Sequence, residues 1–298
     1  MKNNLHSNFL YTSPNNWFIR LINLFRYRLP KGLELLLLFF FSIIFLAPIV
    51  WTFSTSLRLP AQSFTLPPQW IPTDFDLTNY QQVFRITPFG SFIQNSIIVT
   101  VTIVIGQIAT ASLAGYAFAR LRFPGKEIVF VLILATMMIP LQASIIPIFV
   151  LISKLGLSDT LTALIVPAWP TAFGTFLLRQ YFMTIPDELY DAAIIDGADQ
   201  FTIFFKIYFP LAKGGVAVLA VLAFNSAWNE FFRPLIFLNS IDKFTIPLGL
   251  VNLRGFMGTN SVSIVIAGIF ISMVPVLIIY LVGQRYLVEG IMRSGLKG

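Results

Sequence analysis

The 298-residue chain is 56% hydrophobic and 11% charged, with 31 Phe and a mean hydropathy of +0.80; a soluble domain carries roughly 45–50% apolar and about 25% charged residues, so the natural solvent here is lipid. There is no Cys, and the single histidine, His6, sits in a polar leader as a solvated tail residue, which excludes disulfides, thiolate metal centres, cysteine nucleophiles, two-His metal sites and a Ser/His/Asp triad. A phosphate-binding Gly-x-x-x-x-Gly-Lys-Ser/Thr loop is also absent, and the net charge of +7 falls between apolar runs, where it reads as membrane orientation rather than nucleic-acid binding.

Six runs reach the length of about 20 residues that crosses about 30 Å of hydrocarbon. The first is Leu33–Phe53, with Glu34 at its edge and Pro48 inside, and the second is Ser91–Ala119, which carries no charge. The third, Glu127–Ser153, contains Pro140 and Pro147, which predict a kinked or broken span. The fourth is Leu161–Leu178, with Pro167 and Pro170. The fifth is Gly214–Phe232 with a continuation toward Leu238, and the sixth is Val262–Gly283, with Pro275. The predicted fold is therefore an all-α polytopic membrane protein with six transmembrane helices. Segments on one side (leader, 2–3 loop, 4–5 loop and tail) hold 14 of the 20 Lys and Arg, so both termini are expected to be cytoplasmic. Three regions follow: a leader at 1–32, one membrane domain at 33–283 and a tail at 284–298. The first span reads as a permanent anchor rather than a cleaved signal peptide.

In the leader, Trp17, Leu21, Leu24 and Phe25 recur at helical spacing among Arg20, Arg26 and Arg28. Such a segment either lies along anionic lipid as an amphipathic helix or is a disordered basic arm. In the second span Gly106, Thr110 and Ala114 form one row of small residues, and Ala111, Gly115 and Ala119 another, a pattern that lets helix backbones approach closely. Polar groups inside spans are costly unless they pair or face a cavity. Asn95 and Gln107 on span two, and Asn225, Trp228, Asn229 and Glu230 on span five, are therefore candidates for a substrate path. Interhelical hydrogen bonding is the competing reading. Asn225 and Asn229 share a helix face, and amides beside an aromatic suit sugar hydroxyls and ring faces.

The segment at 184–210, between spans four and five, reads as two short helices with a hinge. Pro186 opens the first, with Asp187 and Glu188 in its first turn, where acids favour the helix dipole. Gly197 fits a left-handed C-cap and Asp199 an N-cap for the second helix. Phe201, Phe204, Phe205 and Tyr208 are predicted to give that second helix an aromatic face. Five of the chain's 13 acids fall between Asp187 and Asp199, on the side where basic residues dominate. That charge favours a protein partner over an anionic lipid surface.

The stretch Asp191-Ala-Ala-Ile-Ile-Asp196-Gly197-Ala198, followed by Ile207 and Pro210, closely resembles the EAA loop of the membrane subunits of binding-protein-dependent ABC importers. Phe224-Asn-Ser-Ala-Trp228-Asn229-Glu230-Phe-Phe-Arg-Pro234-Leu and the tail Gln284-Arg-Tyr286-Leu-Val-Glu-Gly290, with Gly295-Leu-Lys-Gly298, are similar to the carbohydrate-uptake branch. Within that branch the chain looks like the shorter of the two permeases of the maltose-type importer. Two positions depart from the pattern: Asp191 stands where the family has Glu, which shortens the reach of an ion pair but keeps its sign, and Phe209 stands where it has Leu.

The resemblance implies that the first loop helix is a coupling helix seated on a cytoplasmic ATPase, with Asp191, Ala192, Ala193, Asp196, Gly197 and Ala198 in contact with it. It further implies a second permease subunit as heterodimer partner, a dimer of ABC ATPase subunits, an extracytoplasmic solute-binding protein, and residence in the bacterial cytoplasmic membrane. On this reading the chain is not an enzyme and holds no cofactor, ATP and Mg being bound by the partner ATPase, and its transported solute is a sugar or sugar-like molecule. The tail Gly290–Gly298 is also implied to reach the ATPase dimer. A self-contained secondary transporter is the alternative; it calls for embedded acids, of which Glu230 alone is at hand. An intramembrane enzyme is the third reading, and the chain lacks paired His, Cys or clustered acids at membrane depth to support it.

Overall fold

A computed structural model describes residues 31–59, 70–71, 75–255 and 261–295, with side chains up to residue 286, and every regular element among them is helical. His6, the amphipathic leader segment and residues 296–298 lie outside the described residues, and for Gly290–Gly295 only the helical backbone is described. Of the described residues, 31–52 form one unit and those from Phe53 onward another.

Helix α1 spans Lys31–Ser56 and continues through Pro48, whose carbonyl accepts the Thr52 hydroxyl at 2.8 Å. After α2 (Thr78–Ile86), helix α3 runs unbroken over Phe89–Arg120, because its 32 residues contain no Pro and no charge before Arg120. The third run is α4 (Lys126–Ala135), a tight turn at Thr136–Met138, and α5 (Leu141–Lys154), bent by 104°. The break falls at Pro140, where Ile139 is pushed into extended backbone. Pro147, expected to share in it, lies inside a continuous α5 and removes one intrahelical bond without ending the helix.

The fourth run is α6 (Leu161–Ile165), a turn at Val166–Ala168, and α7 (Ala172–Met183), bent by 40°. Thr160 and Thr171 cap the two pieces, their hydroxyls accepting the amides of Ala163 and Gly174. Helices α8 (Asp187–Ile195) and α9 (Gln200–Ile203, continued by a wide turn to Leu211) precede α10 (Lys213–Trp228), which is bent by 75° from α9. Then come α11 (Phe232–Phe237), α12 (Ile246–Leu253) and α13 (Val262–Gly295). Among the described residues, α1, α3 and α13 are each long and apolar enough to cross a membrane, and the number rises to as many as six if each bent pair is one span.

The fifth run departs from its predicted form. It was expected to be helical from Gly214 through Phe232 toward Leu238, but α10 stops at Trp228 and α11 starts afresh. The cause is local. The Glu230 carboxylate accepts the amides of Phe232 and Arg233 at 3.0 and 3.3 Å, and so serves as the start of a new helix. Pro234 has no amide for the Glu230 carbonyl, which a continuous helix requires.

Helix α3 is the mast of the larger unit. Its Val99 and Ile103 pack with α5, α6 and α11; its Ala111 and Tyr116 with α7, α8 and α9; its Phe89 and Phe92 with α2, α12 and α13. Small residues of α3 meet α7 and the turn before it at close range, the close approach the two rows predict: a Cβ on Gly115 would lie 2.9 Å from the Arg179 backbone nitrogen of α7, and one on Gly106 would overlap the Trp169 ring just before α7. The Thr110 hydroxyl donates to the Trp169 carbonyl at 2.8 Å, and the Trp169 indole donates to the Thr102 carbonyl at 3.2 Å. Lipid is as apolar as these side chains, so contact at membrane depth stabilises through packing, ~0.1–0.2 kcal/mol per atom pair, and through satisfied polar groups rather than through removal from water.

Toward the other end of α3, Asp159 clamps the α5–α6 connection to the segment after α11. It stands at φ +56 and accepts the amides of Asn239 and Ser240, the Ser240 hydroxyl and the Lys243 ammonium. The Ser240 hydroxyl, then those amides, then Lys243 hold its carboxyl well below the ordinary range, so the clamp keeps its charge into acid.

Candidate functional site

The acidic loop folds as its local signals direct. Pro186 is extended at the start of α8, and Asp187 and Glu188 occupy the first turn. The helix ends on Gly197 at φ +81, with the Gly197 amide bonded to the Ile194 carbonyl at 3.0 Å and the Ala198 amide to the Ala193 carbonyl at 2.9 Å. This paired closure needs the left-handed conformation that glycine enters freely. Asp199 then caps α9 by accepting the Thr202 amide at 3.3 Å, and the Thr202 hydroxyl foremost, with the Thr202 and Phe201 amides, lowers its carboxyl from the ordinary value. The Phe209 amide reaches back to the Phe204 carbonyl, a wide turn just before Pro210.

One side of this loop is bound into the body of the chain. Tyr116, Phe182, Phe204 and Tyr208 form a cluster with ring centroids 5.2–6.3 Å apart, and Tyr190 meets Tyr208 at 6.4 Å. The Tyr116 hydroxyl donates to Gln200 Oε1 at 2.9 Å, and Gln200 Nε2 donates to the Tyr190 hydroxyl at 2.9 Å. Arg120, the last residue of α3, donates to the carbonyls of Phe182 (2.8 Å) and Ile185, pairs with Asp187, and lies 5.1 Å from the Tyr208 ring centre. Beside it, Arg179 of α7 pairs with Glu127 of α4 at 3.0 Å, donates to the Phe118 carbonyl and covers the Phe130 ring at 4.0 Å. These contacts tie the start of α8 to the ends of α3 and α7.

The other side faces outward. Asp191, Ala192, Asp196 and Gly197 are exposed, and Ala198 is half-buried. Ala193, expected among the partner-facing residues, is instead 7% exposed, turned into the aromatic cluster because it lies on the face of α8 toward Tyr190 and Ala198. The aromatic face expected on α9 divides as well: Phe204 and Tyr208 are buried, while Phe201 and Phe205 are exposed. Leu189, Ile194 and Ile195 are also exposed, Ile195 at 84%, and the sequence reading passed over them. Their spacing relative to the buried Ala193 is the signal that could have found them. The outward surface thus sets exposed apolar side chains among carboxylates.

The six residues singled out for a substrate path do not converge. Asn95 donates to the carbonyls of Asp242 and Phe244 at 2.8 and 3.0 Å, and buried Trp228 donates to the Ser272 carbonyl at 3.0 Å while stacking on Phe224. Asn229 folds back onto Asn225, bonding its carbonyl at 2.9 Å and its side-chain oxygen at 3.2 Å. Gln107 and Glu230 do come together, on the wall of one cavity of about 30 Å³. Gln107 Nε2 also donates to the Ala168 carbonyl at 2.9 Å. Among the described residues no group of three or more His, Asp and Glu is arranged to hold a metal ion.

Comparison with known proteins agrees with this architecture. Residues 108–292 match the family described as binding-protein-dependent transport system inner membrane component. The chain is 37% identical over 228 residues to the arabinooligosaccharides transport system permease protein AraQ of Halalkalibacterium halodurans, covering 76% of this chain and 81% of that one. It is 35% identical to the sn-glycerol-3-phosphate transport system permease protein UgpE of Pectobacterium atrosepticum, over 70% of this chain and 74% of that one. Among solved structures, one chain of a bacterial ABC transporter involved in the import of the acidic polysaccharide alginate superposes with a TM-score of 0.75 at 28% identity, over 92% of this chain and 99% of that chain.

Proposed function

Because this chain belongs to the family of binding-protein-dependent transport system inner membrane components, we propose that it forms half of the translocation path of an ATP-driven importer for a sugar or sugar-like solute and is driven through its α8–α9 loop. The family makes it a multi-pass membrane subunit of a transporter. The other half of the path is a second permease, and ATP is bound and hydrolysed, with Mg, by a pair of separate ATPase subunits seated on α8. A solute-binding protein docks on the opposite side of a bacterial cytoplasmic membrane, with both termini of this chain cytoplasmic. The excess of Lys and Arg on the loop side supports that orientation. The names of the relatives, which include an oligosaccharide and a glycerol phosphate permease, support the solute class.

The observation that carries this reading is the two-sided loop. Asp191, Ala192, Asp196, Leu189, Ile194 and Ile195 look outward, while Arg120 and Tyr116 fasten the same short helices to α3. When two ATPase subunits close on ATP they draw α8 with them, and α3 and α7 follow as a packed unit. The ATPase has only to favour one of two packings by a few kcal/mol, about 5.5 kcal/mol for a shift from 1:99 to 99:1.

Reconstitution tests it. The chain, its partner permease, the ATPase and the binding protein are purified and placed in liposomes. Uptake is expected only with all four components and internal ATP, and none with this chain alone. Accumulation by this chain alone, driven by a proton or sodium gradient, would establish the secondary-transporter reading instead.

A further inference from the structure

The cavity that brings Gln107 and Glu230 together also holds residues that the substrate-path reading had passed over. Its wall includes Val99, Ile103 and Gln107 of α3, Ser226 and Glu230 at the end of α10, Arg233 of α11, and Thr245 just before α12. Val99–Gln107 fall in the middle third of Phe89–Arg120, so the cavity lies near the middle depth of that span. It sits at the break between α10 and α11, and interrupted helices at such depth are where transporters hold solutes. Two features there cost free energy, and the first does nothing for the fold. Thr245 is 4% exposed, yet its hydroxyl has no hydrogen-bond partner and does not cap α12. The Glu230–Arg233 ion pair, 3.6 Å apart, stands at a depth where charges are expensive and mark function. A buried hydroxyl left unpaired is destabilising, and replacing it by a methyl of the same shape is neutral or better for the fold.

We propose that this cavity is the solute contact of this chain, and that it takes a hydroxyl or hydroxymethyl group of an uncharged polyhydroxy solute. The inference rests on the importer reading above and narrows its solute class. At about 30 Å³ the cavity has room for one or two groups of that size, so it reads an edge of the solute. Thr245 and Ser226 supply hydroxyls, and Gln107 an amide. Arg233, the one cation on the wall, faces Glu230 at 3.6 Å, so the pair is close to neutral and an anionic group would meet the Glu230 carboxylate as well as the guanidinium, whereas a hydroxyl can accept from Arg233 Nε, which has no hydrogen-bond partner.

The test uses the assembled transporter in liposomes with three labelled probes: arabinotriose, glycerol 3-phosphate and an alginate trisaccharide. Arabinotriose is the expected substrate. Thr245→Val is expected to raise its KM by about three- to tenfold, with thermal stability and ATP hydrolysis unchanged. Thr100→Val removes another buried, unpartnered hydroxyl that does not line the cavity, and should leave KM alone. Uptake confined to the anionic probes, no uptake of arabinotriose, or a KM indifferent to Thr245→Val would overturn the proposal. Coupled uptake that ignores Thr245→Val sinks this inference alone, whereas a chain that assembles with no ATPase sinks the importer reading as well.

Discussion

Gly197→Val is expected to abolish ATP-coupled uptake while leaving membrane insertion intact. A Cβ at Gly197 meets nothing within 4 Å, so the penalty is conformational rather than steric. At φ +81 a β-branched side chain costs at least ~1–2 kcal/mol, and relieving the strain breaks the two amide bonds that close α8. The angle between α8 and α9 then changes, and the outward residues Asp191, Ala192 and Ile195 lose their fixed placement. Gly197→Asn is the control, since Asn enters the left-handed region several-fold more often than other residues and is close to Val in size. Uptake largely retained in Gly197→Asn and lost in Gly197→Val locates the effect in the turn. Equal loss in both assigns it to a clash with the docked partner, and normal uptake in Gly197→Val counts heavily against the loop as a coupling device.

The second large effect is expected at Arg120. Arg120→Ala should cut uptake by tenfold or more while the ATPase still co-purifies and still hydrolyses ATP, because the outward surface of α8 survives while the start of α8 is released from α3 and only the Tyr116 side of the attachment remains. The magnitudes indicate which bond matters. The Asp187 side chain is 79% exposed, so its pairing with Arg120 is worth at most about 1 kcal/mol. The carbonyls of Phe182 and Ile185 lose their charged donor; Phe182 keeps the Ile185 amide at 3.3 Å, so the cost of a group left unpaired, about 1–3 kcal/mol, falls on the Ile185 carbonyl. Asp187→Asn is therefore expected to be mild. Arg120→Lys should rescue little, since a single ammonium cannot reproduce the forked contact to both carbonyls and Asp187. Measuring hydrolysis and uptake on the same liposomes separates uncoupling from loss of assembly.

How much of this was legible in the sequence depends on how local each signal is. Pro186, Gly197 and Asp199 act within a few residues of themselves, through a missing amide, a permitted left-handed turn and a side-chain cap, and each does what its type predicts. The break at Pro140 was legible for the same reason. Faces were harder. Ala193 turns inward, and Phe201 and Phe205 outward, because Tyr116 and Phe182, contributed by α3 and α7, decide which side of the loop is covered. The wide turn at Phe204–Tyr208 also shifts the spacing that a regular helix would keep. The break after Trp228 was missed because Glu230 reads as one more residue of an apolar run until its carboxylate is seen holding the amides of Phe232 and Arg233. Asn95 and Trp228 illustrate the cost of polarity at depth met by neighbouring carbonyls, a pairing with residues 147 and 44 positions away that no local pattern carries.

The central claim is that α8 is the seat of a separate ATPase. Since the chain has no Cys of its own, single cysteines can be introduced at Leu189, Ala192, Ile195 and Ala193 in the assembled transporter and probed with a short bifunctional crosslinker. The three exposed positions are expected to yield a covalent adduct with the nucleotide-hydrolysing subunit, with yields that change when ATP is added, and the inward Ala193 position none. No adduct from any of the exposed positions, in a preparation that still transports solute, would contradict the account.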